Sequence, residues 1–309
     1  MPTTTISNLT CEYQINPLGI DVLQPRLSWQ MRSERRGVYQ KAYQILAAAS
    51  KDNLASDKAL LWDSGKVETD QSIQVPYDGP PPVSGQRIYW KVRVWDEQGE
   101  ETESSTAWWE MGLLESGDWH AEWIPPDWHE DVSHPQPCPL LRRKFDVADG
   151  LVSARLYATS LGLYELRLNG QRVGEAVLTP GWTSYQHRLQ YQTYDVTNMV
   201  RQGDNALGAI LGDGWYRGYI GFTGERNLYG DRLALLLQLK LVYEDGRSQL
   251  ITSDERWRAI PGPIQMSDIY MGEIYDARLE KLGWDQADYD DSDWHSVCRL
   301  DHPKENVVA

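Results

Sequence analysis

The chain has 309 residues, of which 45 are acidic and 30 basic, so its formal net charge at pH 7 is −15. This acidic balance argues against a nucleic-acid partner, which requires a basic surface, and no apolar run approaches the ~18 residues of a membrane span. Three widely spaced cysteines, Cys11, Cys138 and Cys298, do not form a disulfide framework. The N-terminal residues are neither basic nor apolar, so we expect no signal peptide and a cytoplasmic protein.

Residues 1–115 have the pattern of short strands separated by turns. In the clearest strand, Ile88, Trp90, Val92 and Val94 alternate with charged and aromatic side chains. Strict alternation of this kind indicates a strand with one buried face. Several such strands within ~110 residues predict a β-sandwich of the fibronectin type III or immunoglobulin kind.

A connector rich in proline and tryptophan occupies residues 116–139. It contains Trp119, Trp123 and Trp128 together with five prolines. Because proline has no amide donor for the interior of a sheet, we predict a linker or an extended edge here.

Residues 140–300 return to β patterning, and residues 301–309 are expected to form a tail. Asn169-Gly170 is a residue pair favoured in two-residue hairpin turns. Alternating leucines run from Leu233 to Leu241 and precede a turn and a further strand. Because helical periodicity is weak, this pattern predicts a jelly-roll β-sandwich. The whole chain is therefore expected to be all-β, with a fibronectin type III-like sandwich followed by a jelly roll.

A series of motifs in the second domain carries a family resemblance. The motifs are LGLYE at 161–165, LNGQRVG at 168–174, LTPGWTSY at 178–185, LGDGWYRG at 211–218, GEIYDAR at 272–278 and GW at 283–284. In this order they resemble the N-terminal β-sandwich of bacterial α-L-rhamnosidases of glycoside hydrolase family 78. The domain in front looks like the fibronectin-like domain that precedes it in many members. The stretch around Asp213 and Arg217 is also similar to carbohydrate-binding module family 67, whose members bind L-rhamnose with a calcium ion contacting the sugar.

The resemblance implies a parent enzyme that hydrolyses α-L-rhamnosides with inversion, using acidic residues of an (α/α)₆ barrel that follows these domains. Two β-domains use the whole 309 residues, so we expect this chain to lack the barrel and to be non-catalytic by itself. The implied partners are rhamnose-containing glycosides and the catalytic barrel of the parent protein. The family's calcium ligands do not map residue by residue onto this sequence, so Ca²⁺ is an expectation at the level of the domain only.

Residues 212–230 combine the two chemistries that sugar binding needs, aromatic faces for the C–H side of the ring and planar polar groups for the hydroxyls. Aromatic and polar side chains, Phe222 among them, are interleaved there in a glycine-rich loop, and binding residues concentrate on long loops of rigid sheets. The predicted carbohydrate-binding residues are Trp215, Tyr216, Asp213, Arg217, Asn227 and, from an earlier motif, Trp182. The alternative is that the tryptophan and tyrosine of the loop plug the end of the sandwich.

Two other interpretations remain open. In the first, both domains form a structural scaffold that packs on the catalytic barrel or a second subunit, with Glu273, Tyr275 and Asp276 lining the contact. In the second, the chain is a small complete glycosidase whose Asp213 and Glu273 flank a glycosidic bond at the ~5–9.5 Å separation of paired carboxylates. The acidic cluster at 288–293 lacks the spacing of an EF-hand loop and is interpreted as a solvated turn.

Overall fold

The structure is a computed structural model that describes residues 4–221 and 224–309. The chain divides into two compact units, the first ending at Leu114 and the second beginning at Glu115. None of the helices in the described residues is long and apolar enough to cross a membrane.

The described residues of the first unit contain ten strands and one short helix. In chain order they are β1 (Thr5–Cys11), β2 (Leu18–Ile20), β3 (Arg26–Arg32), β4 (Gln40–Ala48), α1 (Lys51–Ala55), β5 (Leu60–Asp63), β6 (Val67–Glu68), β7 (Val75–Pro76), β8 (Arg87–Asp96), β9 (Glu101–Glu103) and β10 (Ala107–Met111). One sheet has the order β1-β3-β7. The other has the order β2-β10-β8-β4-β5, with β6 paired to β4 and β9 paired to β8.

Side chains from both sheets of the first unit meet in one core, which confirms the predicted sandwich. Trp29 from β3, Ile45 from β4 and Trp90 from β8 are at most 1% exposed. The alternation expected in β8 is present, because every second residue from Ile88 to Val94 lies in this core. The residues between them are partly exposed, except Lys91, which is buried in ion pairs. Burial of large apolar side chains, at about 1.5–3 kcal/mol each, is the main stabilising contribution to such a core.

The second unit consists almost entirely of strands in its described residues. In chain order its elements are β11 (Pro139–Val147), β12 (Leu151–Leu161), β13 (Leu163–Leu168), β14 (Gln171–Arg172), β15 (Leu189–Gln190), β16 (Gln192–Asp195), β17 (Gly203–Gly212), α2 (Gly214–Arg217), β18 (Ala234–Tyr243), β19 (Ser248–Thr252), β20 (Arg258–Pro261), β21 (Ile264–Asp268), β22 (Gly272–Tyr275), β23 (His295–Ser296) and β24 (Val307–Val308). Two 3₁₀ turns lie at Ser116–Asp118 and Ala277–Leu279.

Two sheets of the second unit enclose a common core. A six-stranded sheet has the order β14-β13-β17-β11-β20-β23, and a four-stranded sheet has the order β16-β12-β18-β19. Along the chain, β11, β13 and β17 of the six-stranded sheet alternate with β12, β16 and β18 of the four-stranded sheet, in agreement with the jelly-roll prediction. Leu141, Leu166 and Leu207 of one sheet pack in the same core as Leu156 and Leu237 of the other.

Two tight connections fix the register of β13. Asn169 and Gly170 join it to β14 with positive φ of 51° and 83°, the two-residue turn expected from this pair. Gly162 joins it to β12 with a φ of +112°, and a Cβ there would lie 2.5 Å from the Gly212 carbonyl oxygen. A larger residue at position 162 would therefore force strands of the two sheets apart.

Residues 116–139 are part of the second unit and pack against its core. Trp123 and Ile124 are fully buried. Ile124 exchanges backbone hydrogen bonds with Leu235, of 2.9 and 3.1 Å, so this stretch is an extended edge of that unit. The last residues also pair, because β24 runs parallel to β15.

Candidate carbohydrate-binding site

The candidate site lies where the chain leaves β17, forms the single turn α2 and returns to β18. Phe222, one of the aromatic residues of this loop, lies outside the described residues. Trp182 reaches the same region from an earlier segment that is tied to β13. The Tyr164 amide donates to the Thr179 carbonyl at 2.9 Å, and Thr179 Oγ1 donates to the Tyr164 carbonyl at 2.8 Å.

An aromatic surface forms where the two segments meet, and we call Trp182, Trp215 and Tyr229 the Trp182 surface. The rings of Trp182 and Trp215 stack with centroids 5.8 Å apart and planes 6° from parallel. Trp182 Nε1 donates to Tyr229 Oη at 3.1 Å. Trp182 is 50% exposed. Trp215 lies against one side of the Trp182 ring, and half of the Trp182 side chain is exposed to solvent.

Two buried tyrosines back this surface. Tyr185 packs against Tyr229 with ring centroids 4.9 Å apart and against Tyr216 at 5.3 Å. Tyr216 is 5% exposed, and burial raises its pKa to about 12. A Cβ at Gly230 would lie 2.1 Å from Tyr216 Oη, so the loop returns directly over this ring. Tyr216 thus packs in the interior, as the alternative of a plug at the end of the sandwich expects.

Asp213 and Arg217 also lie in the interior. With Glu130 and Arg226 they form a cluster of charged side chains that we call the buried ion network. Arg217 is fully buried, and its Nε donates to Asp213 Oδ1 at 2.6 Å while its Nη1 donates to the Glu130 carboxylate. Arg226 Nη2 donates to Asp213 Oδ2 at 3.0 Å. Both oxygens of Asp213 are therefore occupied by guanidinium groups.

The charges of the buried ion network balance. Burial by itself lowers the pKa of Arg217, but the carboxylates of Asp213 and Glu130 raise it above its ordinary value. Burial raises the pKa of Asp213, and the guanidiniums of Arg217 and Arg226 oppose that rise. Two cations and two carboxylates in mutual contact satisfy the condition under which charges remain inside a protein.

This environment speaks against a catalytic role of Asp213. The residue is 2% exposed and has no free oxygen with which to act as acid, base or nucleophile. Its supposed partner Glu273 is an exposed residue of β22. The geometry therefore gives no support to Asp213 and Glu273 as paired catalytic carboxylates.

Asn227 and the two arginines retain hydrogen-bonding capacity that the protein does not use. Asn227 Nδ2 donates to the Val132 carbonyl at 2.9 Å, but its Oδ1 is buried and unpaired. Arg217 Nη2 and the Nε and Nη1 of Arg226 are likewise buried without a partner. Such groups are ordinarily satisfied by ordered water. This unused capacity adjoins Trp215 and Tyr229 in the chain.

The described carboxylates do not converge as a metal site. No group of three or more His, Cys, Asp or Glu side chains in the described ranges is placed to hold a metal ion. The oxygens of Asp213 are taken by arginines, and Asp291 of the acidic cluster pairs with Arg142. Calcium needs several convergent oxygens. Calcium binding therefore stays a prediction that rests on the family resemblance.

Sequence reasoning did not single out Glu130. This residue lies in the proline-rich connector, and its partner Arg217 follows 87 residues later. The role of Glu130 depends on a contact with a residue far away in the sequence, and no pattern among its neighbours in the chain indicates such a contact.

Each of the two units matches a model of a known protein family. The family model "Alpha-L-rhamnosidase N-terminal domain" matches residues 149–309. The chain belongs to this family. Residues 6–115 match the model "Rha78A-like, N-terminal immunoglobulin domain", in agreement with the sandwich of the first unit. The chain therefore corresponds to the N-terminal region of a glycoside hydrolase family 78 rhamnosidase, and its described residues contain only the short α-helices α1 and α2, not a helical barrel.

Relatives are similar to this chain over 92% to 100% of its length. The α-L-rhamnosidase of Alteromonas sp. (strain LOR) is 38% identical, over 92% of this chain and 32% of its own length. That of Streptomyces avermitilis is 31% identical, over 100% of this chain and 46% of its own length. The structure of native α-L-rhamnosidase from Aspergillus terreus matches 99% of this chain and 35% of its own with a TM-score of 0.91 at 39% identity. The structure of the Streptomyces avermitilis enzyme complexed with L-rhamnose matches 99% of this chain and 45% of its own with a TM-score of 0.91 at 29% identity. This chain spans about a third to just under a half of the length of these relatives.

Proposed function

We propose that this chain is the accessory region of an α-L-rhamnosidase. Its second unit binds rhamnosyl glycans and positions them for a catalytic domain elsewhere in a longer protein. The observation that carries the proposal is that the Trp182 indole is half exposed yet fixed in position by its stack on Trp215 and its hydrogen bond to Tyr229. Membership of the rhamnosidase family supports rhamnose as the sugar.

An indole face suits the apolar side of a deoxy sugar. The face of the ring carries negative electrostatic potential, and the C–H groups of a pyranose are weakly positive. Rhamnose adds a methyl group at C5 to that apolar surface. Because Trp182 is held before the sugar arrives, little side-chain entropy is lost on binding.

Hydroxyl groups of the sugar find polar partners beside this face. Tyr229 Oη already accepts from Trp182 and retains its own proton as a donor. Asn227 Oδ1 and the unpaired nitrogens of Arg226 would reach the sugar through ordered water. Asp213 and Arg217 hold the loop in place without touching the ligand.

Isothermal titration calorimetry with L-rhamnose tests this proposal. We expect saturable heat for the unmodified chain and its loss in Trp182→Ala. Tyr270→Ala, which removes another aromatic residue that is 56% exposed, is the matched control and should bind normally. Titrations with calcium and with a chelator test the predicted ion. An absence of heat from the unmodified chain in both would overturn the proposal.

A purely structural role is the second candidate, favoured by apolar side chains on and after the β21–β22 ribbon. Tyr270, Met271, Ile274 and Leu282 are between 55% and 84% exposed. A surface of this kind is typical of a contact with another domain or subunit. Sedimentation of the chain at rising concentration should show association that Met271→Ser/Ile274→Ser reduces. A monomer at every concentration would exclude a second copy of this chain as the partner.

Turnover is assigned to the rest of the longer protein rather than to this chain. Pure protein should therefore leave p-nitrophenyl α-L-rhamnoside intact. Hydrolysis that is lost in Asp213→Asn would show that the buried carboxylate is catalytic after all.

We also propose a cytoplasmic location. The state of the cysteines supports it. Cys11, Cys138 and Cys298 are free thiols in the structure. Burial raises the pKa of Cys138 to about 12, which keeps this thiol protonated and unreactive. Fractionation of cells that express the natural gene, with detection by an antibody against this chain, would locate the protein.

A further inference from the structure

A separate cavity lies on the outer face of the six-stranded sheet. Its volume is about 330 Å³, and it shares no residue with the Trp182 surface. Leu140, Arg167 and Ile210 contribute the sheet side of its lining. These residues alternate with core residues along β11, β13 and β17, so they face away from the core of the sandwich. The other side is formed mainly by the segment from 275 to 285.

One wall of the cavity is aromatic. Tyr275 and Trp284 both line it. Trp284 packs so closely on the sheet that a Cβ at Gly208 would lie 2.6 Å from its ring. On another side Trp294 stacks against it, with centroids 6.3 Å apart and planes 26° from parallel. Trp284 is therefore fixed in position at the cavity wall.

A fully buried arginine secures the segment that carries this wall. Arg142 Nε donates to the Trp284 carbonyl and Nη2 to the Gln286 carbonyl, both at 2.8 Å, and Nη1 pairs with Asp291. Burying a guanidinium costs free energy unless its donors are used, and here three nitrogens bind one loop. The wall is thus organised before any ligand arrives.

Charged side chains that line the cavity are held in place by hydrogen bonds but retain unused hydrogen-bonding capacity. Arg167 Nε donates to Asp285 Oδ2 at 2.5 Å, and Tyr275 Oη donates to Glu280 Oε1 at 2.6 Å. The second oxygen of each carboxylate accepts no hydrogen bond from the described residues. Lys281 also lines the cavity and has no ion-pair partner in the described ranges. Donors and acceptors are therefore both available.

The charges that line the cavity favour a neutral ligand over an anion or a cation. Two cations, Arg167 and Lys281, and two carboxylates, Glu280 and Asp285, line the cavity, so their formal charges cancel. An anion or a cation would meet repulsion as well as attraction there. A neutral polyol can donate to a carboxylate and accept from an ammonium with the same hydroxyl group. A volume of about 330 Å³ is at the small end of ligand sites and suits one ring better than a chain.

From these features we propose that the cavity is a second carbohydrate subsite, which accepts one neutral sugar ring. The apolar face of the ring lies against Trp284 and Tyr275, and its hydroxyls are bound by Lys281, Glu280 and Asp285. The subsite is independent of the Trp182 surface and would give this region two points of contact with a branched or extended glycan. Two linked contacts raise the overall affinity without any new contact at either site.

Fluorine NMR of the chain labelled with 5-fluorotryptophan tests the subsite. Trp284→Phe and Trp182→Phe assign the two resonances, and a panel of neutral methyl glycosides is titrated, including methyl α-L-rhamnoside, methyl β-D-glucoside and methyl β-D-galactoside. We expect a saturable shift of the Trp284 resonance with at least one of them, and the same shift in Trp182→Ala. Tyr275→Ala and Lys281→Met should each weaken this binding about tenfold, which corresponds to ~1.4 kcal/mol.

Leu279→Ala, which removes an exposed side chain outside the cavity lining, is the control and should not change the titration. A Trp284 resonance that no sugar moves would overturn the subsite. So would a shift that Tyr275→Ala and Lys281→Met leave unchanged, or tighter binding of a sugar acid such as glucuronate. The two proposals fail separately, because the Trp182 resonance reports on the proposed function and the Trp284 resonance on this subsite.

Discussion

The loop between β17 and β18 has two parts that differ in their exposure to solvent. Asp213, Tyr216 and Arg217 face the interior, where they bind one another or pack against tyrosine. Trp215 and Tyr229 instead form a surface with Trp182, a residue from another segment. The most distinctive motif of the loop thus organises the fold, whereas the surface offered to a sugar depends on a contact between segments.

The largest expected effect is on stability, from Arg217→Met. This change leaves Asp213 and Glu130 in the interior with one guanidinium fewer between them. Removal of one partner of a buried ion pair typically costs about 3–5 kcal/mol, and we expect a loss of that size in the free energy of unfolding of the second unit. Urea denaturation followed by tryptophan fluorescence measures it.

Arg278→Met is the matched control, because its side chain is 88% exposed in an ion pair with Asp276. It should unfold at the same urea concentration as the unmodified chain. Equal behaviour of the two variants would show that the buried ion network is not structural.

A smaller loss is expected from Asp213→Asn. The side chain keeps its shape, but one acceptor becomes an amide that faces a guanidinium and leaves a buried donor unpaired. We expect about 1–3 kcal/mol less stability, measured in the same denaturation experiment. A variant as stable as the unmodified chain would mean that the carboxylate does not hold Arg217 and Arg226.

Tyr229→Phe tests the Trp182 surface by removing only the hydroxyl group of Tyr229. The hydroxyl that accepts from Trp182 Nε1 is lost, and a typical hydrogen bond contributes about 0.5–1.5 kcal/mol. We expect weaker rhamnose binding by a few fold, because Trp182 is less firmly oriented, and almost no change in unfolding. Tyr13→Phe in the first unit is the control. A change in stability without a change in binding would assign the hydroxyl to the fold instead.

Much of the fold could be predicted from the sequence because the relevant signals are local. The alternation in β8, the Asn169-Gly170 turn and the leucine stripe of β18 are properties of neighbouring residues, and the structure confirms each. A proline-rich stretch has no such signal. Proline fits a free linker and an extended edge equally well, so residues 116–139 could not be placed by sequence alone.

The candidate site was less predictable for a physical reason. Aromatic and charged residues next to one another in a loop give no indication of which way each points. Tyr216 and Trp215 are adjacent, yet one is buried under Gly230 and the other stacks on Trp182. Arg217 is charged, but Asp213 and Glu130 compensate for its burial, and Glu130 comes from a distant segment. Exposure was therefore decided by contacts that only the folded chain reveals.

In the proposed function, the exposed part of this region binds sugar and the buried part does not. Calorimetric titration of L-rhamnose into the unmodified chain and Trp182→Ala, with the urea denaturation of both recorded in parallel, separates a loss of binding from a loss of stability. We expect at least a tenfold loss of affinity, ~1.4 kcal/mol, in a variant that unfolds at the same urea concentration as the unmodified chain. Rhamnose binding of equal affinity in both proteins would show that Trp182 is not part of the binding site.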